Sequence, residues 1–144
     1  MIELERSALL MCPAEQMYAL INDVEAYPEY MDGCEGATIL EHTEDTMVAK
    51  LDLQRSGLHH SFITRNRLYP PERVELTLEQ GPFEFFEGQW QVQSLRADAC
   101  KVSLQLRFKL KSGLLDVAAK GLFNNVANHL VDAMVKRAKK EQGQ

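Results

Sequence analysis

The sequence predicts an α+β fold in which an antiparallel sheet of successive hairpins lies against one long C-terminal helix. Three features point to it. Residues 100–111 alternate: Cys100, Val102, Leu104, Leu106, Phe108 and Leu110 fall on one face, Lys101, Ser103, Gln105, Arg107, Lys109 and Lys111 on the other. A period of two with a polar outer face marks a strand buried on one side only. The period then changes at Ser112-Gly113. From Leu114 to about Lys140 no proline interrupts, and Leu115, Ala118, Leu122, Val126, Leu130 and Ala133 recur at helical spacing. Finally, short alternating segments precede this unit, separated by connectors brief enough for hairpins: Glu44-Asp45, Ser56-Gly57, Pro70-Pro71, Gly81-Pro82 and Ala97-Asp98.

Taken in order, residues 2–11 read as a first strand. Pro13 stands where a helix begins, and Glu15 falls in its first turn, where an acid suits the helix dipole. Met17, Leu20, Ile21 and Val24 give that helix, about 13–22, one apolar face. Tyr27-Pro28 calls for an extended residue before the proline, and a short helical turn is expected at 28–31, ending at Gly33. Strands are then expected at 37–41, 47–53, 58–69, 74–78, 83–95 and 100–111. Gly88 within a strand marks either a bulge or a close approach of neighbouring chain. The final helix is longer than a local cap requires, so it is expected to lie across the sheet and to enclose a pocket with it.

Length and composition fit a single domain, 1–144, with a sizeable core: 45% of residues are hydrophobic and 26% charged. No apolar run approaches the roughly 20 residues of a membrane span. The acidic, alternating N-terminus, Met1 to Arg6, does not read as a signal peptide. Three cysteines without Cys-x-x-Cys spacing read as reduced thiols, and the expected location is the cytoplasm, with peripheral contact at the inner membrane. The net charge of −5 conceals an imbalance. Residues 1–52 hold twelve acidic and two basic side chains, residues 53–144 nine and fourteen. The basic half offers either a surface for RNA phosphates and anionic lipid or merely solvated faces.

Catalytic signatures are absent: no phosphate-binding loop, dinucleotide fingerprint or nucleophile elbow occurs. His59 and His60 point to opposite faces of one strand, and no metal-ligand spacing is present. His129 shares a helix surface with Asn125 and Asp132, either as a polar group bordering the pocket or as a solvated stripe. Phe62, Phe83, Phe86, Trp90, Phe108 and Phe123 are equally the residue types of a filled core and of an apolar cavity. If Trp90 faces the helix, Phe86, Gly88 and Val92 share its face.

Several strings in fixed order resemble one family. They are Ala14-Glu15-Gln16-Met17-Tyr18, Asn22-Asp23-Val24-Glu25-Ala26-Tyr27-Pro28, Gly33-Cys34, Phe62-Ile63-Thr64-Arg65-Asn66, Gly81-Pro82-Phe83 with Gly88-Gln89-Trp90, and Arg137-Ala138-Lys139. Over nearly its whole length the chain resembles the START-like coenzyme Q-binding, polyketide-cyclase-like proteins, and among them the bacterial ribosome-association toxin (RatA) branch. One departure is Asp32, where the family commonly carries a proline. The resemblance implies a helix-grip (Bet v 1-like) fold with a hydrophobic tunnel between sheet and helix. It also implies a non-enzymatic role: binding ubiquinone or a related isoprenoid lipid in support of respiration, or binding the large ribosomal subunit and blocking subunit association. No cofactor is expected beyond such a ligand. A small-molecule cyclase in the same tunnel is a third reading, with His60, His129 and Arg65 as its titratable candidates.

The expected ligand wall is Phe62, Phe83, Phe86, Trp90, Phe108, Leu122, Phe123, Val126 and Leu130, with His129 as its polar group. The expected ribosome or membrane contact is Lys109, Lys111, Lys136, Arg137, Lys139 and Lys140.

Overall fold

A computed structural model describes residues 1–55, 57–111, 117–141 and 143. Seven strands form one sheet: β1 (Ile2–Leu10), β2 (Cys34–His42), β3 (Thr46–Arg55), β4 (Leu58–Tyr69), β5 (Arg73–Gln80), β6 (Phe83–Arg96) and β7 (Ala99–Leu110). The spatial order is β1-β7-β6-β5-β4-β3-β2, every neighbour antiparallel. β2 to β7 form a meander of hairpins, and β1 returns to pair with β7, Ile2 opposite Phe108 and Leu10 opposite Cys100. Helix α1 (Ala14–Asn22) follows β1, and α2 (Val117–Glu141) ends the fold. α2 touches β1 and β7 on one side and β3 and β4 on the other, so the sheet wraps it. The expected junction at Ser112-Gly113, with Leu114 and Leu115, lies outside the described residues.

The strands follow the alternation closely. All six residues of the apolar face of β7 are buried, and Lys101, Gln105, Arg107 and Lys109 are exposed. Cys100 and Cys12 touch in the core, where burial pushes the Cys100 thiol up to about 12 and raises that of Cys12. They behave as small hydrophobes. Gly88 sits in regular register between Leu76 and Leu106, so it is a close approach and not a bulge. A Cβ there would lie 2.5 Å from Leu106 Cδ2.

Two expectations change. The turn expected at 28–31 is a 3-10 helix at Val24–Glu29 that contains Pro28. Val24, Ala26 and Tyr27 are buried, and the Tyr27 hydroxyl donates to the carbonyl of Ile21. Packing of these side chains outweighs the extended preference before proline. The α2 seam also differs. The buried stripe is Phe123, Ala127, Val131, Met134 and Ala138, whereas Val126, Leu130 and Ala133 are half-buried. From Val126 onward the seam is displaced by one position, a rotation of roughly 100°. Both stripes are apolar at helical spacing, and Leu122, ahead of the displacement, remains fully buried with Phe123.

Gly33 closes the approach from the 3-10 helix to β2 with φ +87°, and a Cβ there would lie 2.9 Å from Val126 Cγ2. Gly33→Ala meets both a left-handed backbone and a side-chain clash. It is expected to cost about 1–2 kcal/mol from the backbone alone, seen as a melting temperature lower by about 3–8 °C. An unchanged melting temperature would refute this account of Gly33.

Candidate functional site

Between the sheet and α2 lies an apolar cavity of about 100 Å³. β4 contributes Phe62, Thr64 and Asn66; β6 contributes Phe83, Phe86 and Trp90; β7 contributes Leu106 and Phe108; α2 contributes Phe123, Val126, Ala127 and Leu130. Thus eight of the expected wall residues, Phe62, Phe83, Phe86, Trp90, Phe108, Phe123, Val126 and Leu130, meet around one space. Phe83 and Phe86 stand three apart and would face opposite ways in a regular strand. A register shift between Phe83 and Phe85 turns both inward. Phe83 then packs against Phe62, Phe86, Phe108 and Phe123, with ring centroids 5.5, 5.1, 5.7 and 4.9 Å away.

Leu122 and His129 are not on this wall. Leu122 is fully buried in the core. His129 is exposed on the outer side of α2, its Nδ1 2.7 Å from the backbone oxygen of Asn125. The displacement of the seam from Val126 onward leaves His129 on the outer side, whereas Leu122, ahead of it, packs in the core beside Phe123. His60 stacks beside Phe123 at 5.6 Å between ring centroids, and Arg65 lies on the outer face between Glu79 and Glu41. Neither lines the cavity.

The polar groups of the wall are not His129 but Thr64 and Asn66 on β4. Thr64 and Asn66 are the buried polar side chains among the described residues, and the Thr64 hydroxyl donates to Asn66 Oδ1 at 2.8 Å. The signal was present: both share the inward register of β4 with Phe62 and Leu68. Asn22 and Tyr27 reach the same space from the first helical segment. Burial raises the Tyr27 phenol well above its ordinary range, keeping it a neutral donor. No group of three or more potential metal ligands occurs among the described residues.

The charged surface is sorted by the topology. The acidic first third supplies partners for the basic remainder: Glu3 to Arg107, Glu35 to His59, Glu41 to Arg65 and Glu29 to Arg137. On β7, Arg107 also meets Glu87, and Lys109 meets Glu84 at 3.2 Å. The basic strand face is therefore interleaved with carboxylates, and Lys109 is not a free cation. Exposed Lys136, Lys139 and Lys140, on the last turns of α2, have no ion-pair partner among the described residues. Lys111 is likewise unpaired among the described residues but stands apart from them, at the end of β7. Arg137 is held by Glu29 and Glu141, both at 3.4 Å, and lies over the Tyr30 ring. No described helix is long and apolar enough to cross a membrane.

Comparison with known proteins agrees with this architecture. Residues 11–135 match the family described as polyketide cyclase / dehydrase and lipid transport. The ribosome association toxin RatA of Vibrio cholerae is 39% identical over 144 residues, covering 100% of both chains. The mitochondrial coenzyme Q-binding protein COQ10 homolog B of Xenopus laevis is 26% identical over 141 residues, 95% of this chain and 58% of that one. In fold, the chain is similar to the Zhui aromatase/cyclase from Streptomyces sp. R1128, with a TM-score of 0.82 and 20% identity over 96% of this chain and 94% of that one. By sequence and by its helix-grip fold, the chain belongs to the START-like polyketide cyclase/dehydrase and lipid transport family.

Proposed function

We propose that this protein associates with the ribosome, on the large subunit, as a RatA-like factor. The observation that carries the reading is the 39% identity to a ribosome association toxin along the full length of both chains. The unpaired lysines at the end of α2 support it, because phosphate recognition needs cations that are not already neutralised. The test is co-sedimentation of the purified protein with large ribosomal subunits across a salt series. The expected result is binding that weakens steeply with salt; absence of the protein from the subunit fraction at low salt would end the proposal.

A second reading is favoured by the cavity itself: the domain binds an apolar ligand, and the distant quinone-binding relative suggests an isoprenoid quinone. Trp90, the only tryptophan, lies on the cavity wall and reports occupancy. A short-chain quinone is expected to quench its fluorescence saturably. Asn66→Leu removes a wall polar group at little cost in volume and is expected to weaken binding about tenfold, the worth of one hydrogen bond to a ligand head. Equal affinity in the variant would remove Asn66 from head-group recognition.

A further inference from the structure

The cavity is too small for the ligands its chemistry suits. At about 100 Å³ it falls short of the roughly 150 Å³ that accommodates a benzene ring in an engineered core, and of the roughly 300 Å³ at which small-molecule sites begin. An elongated apolar molecule must therefore extend beyond it. On the outer side of α2 lies a groove of about 660 Å³, between the helix and the segment Glu29–Asp32. Three side chains, Met31, Val126 and Leu130, line both spaces, so the partition is one side chain thick. Val126 and Leu130 belong to the half-buried stripe that the sheet does not grip. Ala133 and Val135 continue the apolar floor outward, and Lys136, Lys139, Lys140, Glu29, Asp32 and Asp132 form its rim.

We propose that the Met31–Val126–Leu130 partition is a portal, and that an elongated isoprenoid ligand lies through it, one end beside Thr64 and Asn66 and its tail in the groove. This rests on the apolar-ligand reading and is independent of ribosome association. The partition is built to part. Met31 has a flexible unbranched side chain, and Val126 faces the side-chain-free Gly33. The closing contact is Arg137 on α2, which pairs with Glu29 and covers the Tyr30 ring with its guanidinium 5.1 Å from the centroid. The closed arrangement leaves the buried Tyr30 hydroxyl without a hydrogen-bond partner, which lowers the cost of opening.

Two measurements test it. Acrylamide quenching of Trp90 needs no ligand. Arg137→Ala loosens the latch and Leu130→Ala thins the partition; each is expected to raise the quenching constant, Arg137→Ala by about two- to fivefold, the range in which loss of one partly solvated ion pair shifts an equilibrium. Circular dichroism checks that both variants remain folded. Quinones with no tail and with several isoprene units are then titrated into wild type and Ala133→Glu, which puts a charge on the groove floor. Long-chain affinity is expected to fall at least tenfold, about the value of a few buried methylenes, and tail-less affinity to hold. Unchanged quenching in both latch and partition variants overturns the portal. Equal long-chain affinity in Ala133→Glu overturns the groove as the tail site. Failure of every quinone to bind wild type overturns the ligand reading and the threaded pose, while acrylamide still decides the portal.

Discussion

Phe83→Ala is expected to destabilise the fold by about 3–5 kcal/mol, the cost of deleting a buried ring whose space cannot collapse. Phe83 is 3% exposed and packs on four other phenylalanines from β4, β6, β7 and α2. It is the ring that ties the helix to three strands at once. Against a total stability of about 5–15 kcal/mol, such a loss leaves the domain marginal at 37 °C. Phe86, half-buried and facing the cavity, should cost distinctly less, because part of its surface already borders empty space. Urea denaturation of the two alanine variants separates them. A Phe83→Ala midpoint within 1 kcal/mol of wild type, on the scale of about 1–3 kcal/mol per molar urea, would contradict the central role of this ring.

The second large effect concerns association. Reversing Lys136, Lys139 and Lys140 to glutamate replaces three unpaired cations with three anions on one exposed helix end. Co-sedimentation with large subunits is expected to fall at least about a hundredfold, and the salt slope to shrink by about two to three, near one unit per lost phosphate contact. Lys109→Glu is the contrasting variant. Lys109 already faces Glu84, so reversal removes little free charge and should weaken binding only slightly. If Lys109→Glu abolishes binding and the α2 triple variant binds normally, the contact lies on the sheet and not on the helix end.

The strands and both helices were readable because alternation and helical spacing are local properties, set by which face of each element is buried. What failed depended on contacts between elements. The displacement of the α2 seam by one residue from Val126 onward is invisible in a helix with two adjacent apolar stripes, and it is what sends His129 outside. The inward turn of both Phe83 and Phe86 follows from a register shift against β7, which spacing within β6 cannot reveal. Thr64 and Asn66 share the inward register of Phe62, but their polar side chains do not mark a wall until the cavity is seen beside them. The charge imbalance suggested a basic surface, yet carboxylates from other elements pair with Arg65, Arg107, Lys109 and Arg137. On function, the family resemblance leaves quinone binding and ribosome association both open, because the strings that carry it mark the fold and not the partner.

The pairing of β1 with β7 has a consequence for how the protein is made. Ile2 is synthesised well before its strand partner, Phe108. At about 5–20 residues per second the wait is roughly 5–20 s. During that interval β1 has no strand partner, and the sheet cannot close on that side until β7 is made. Such non-local pairing slows folding and favours completion after release. The nascent chain is therefore expected to depend on chaperone cover of β1, a demand that circular permutation placing β1 directly after β7 would relieve.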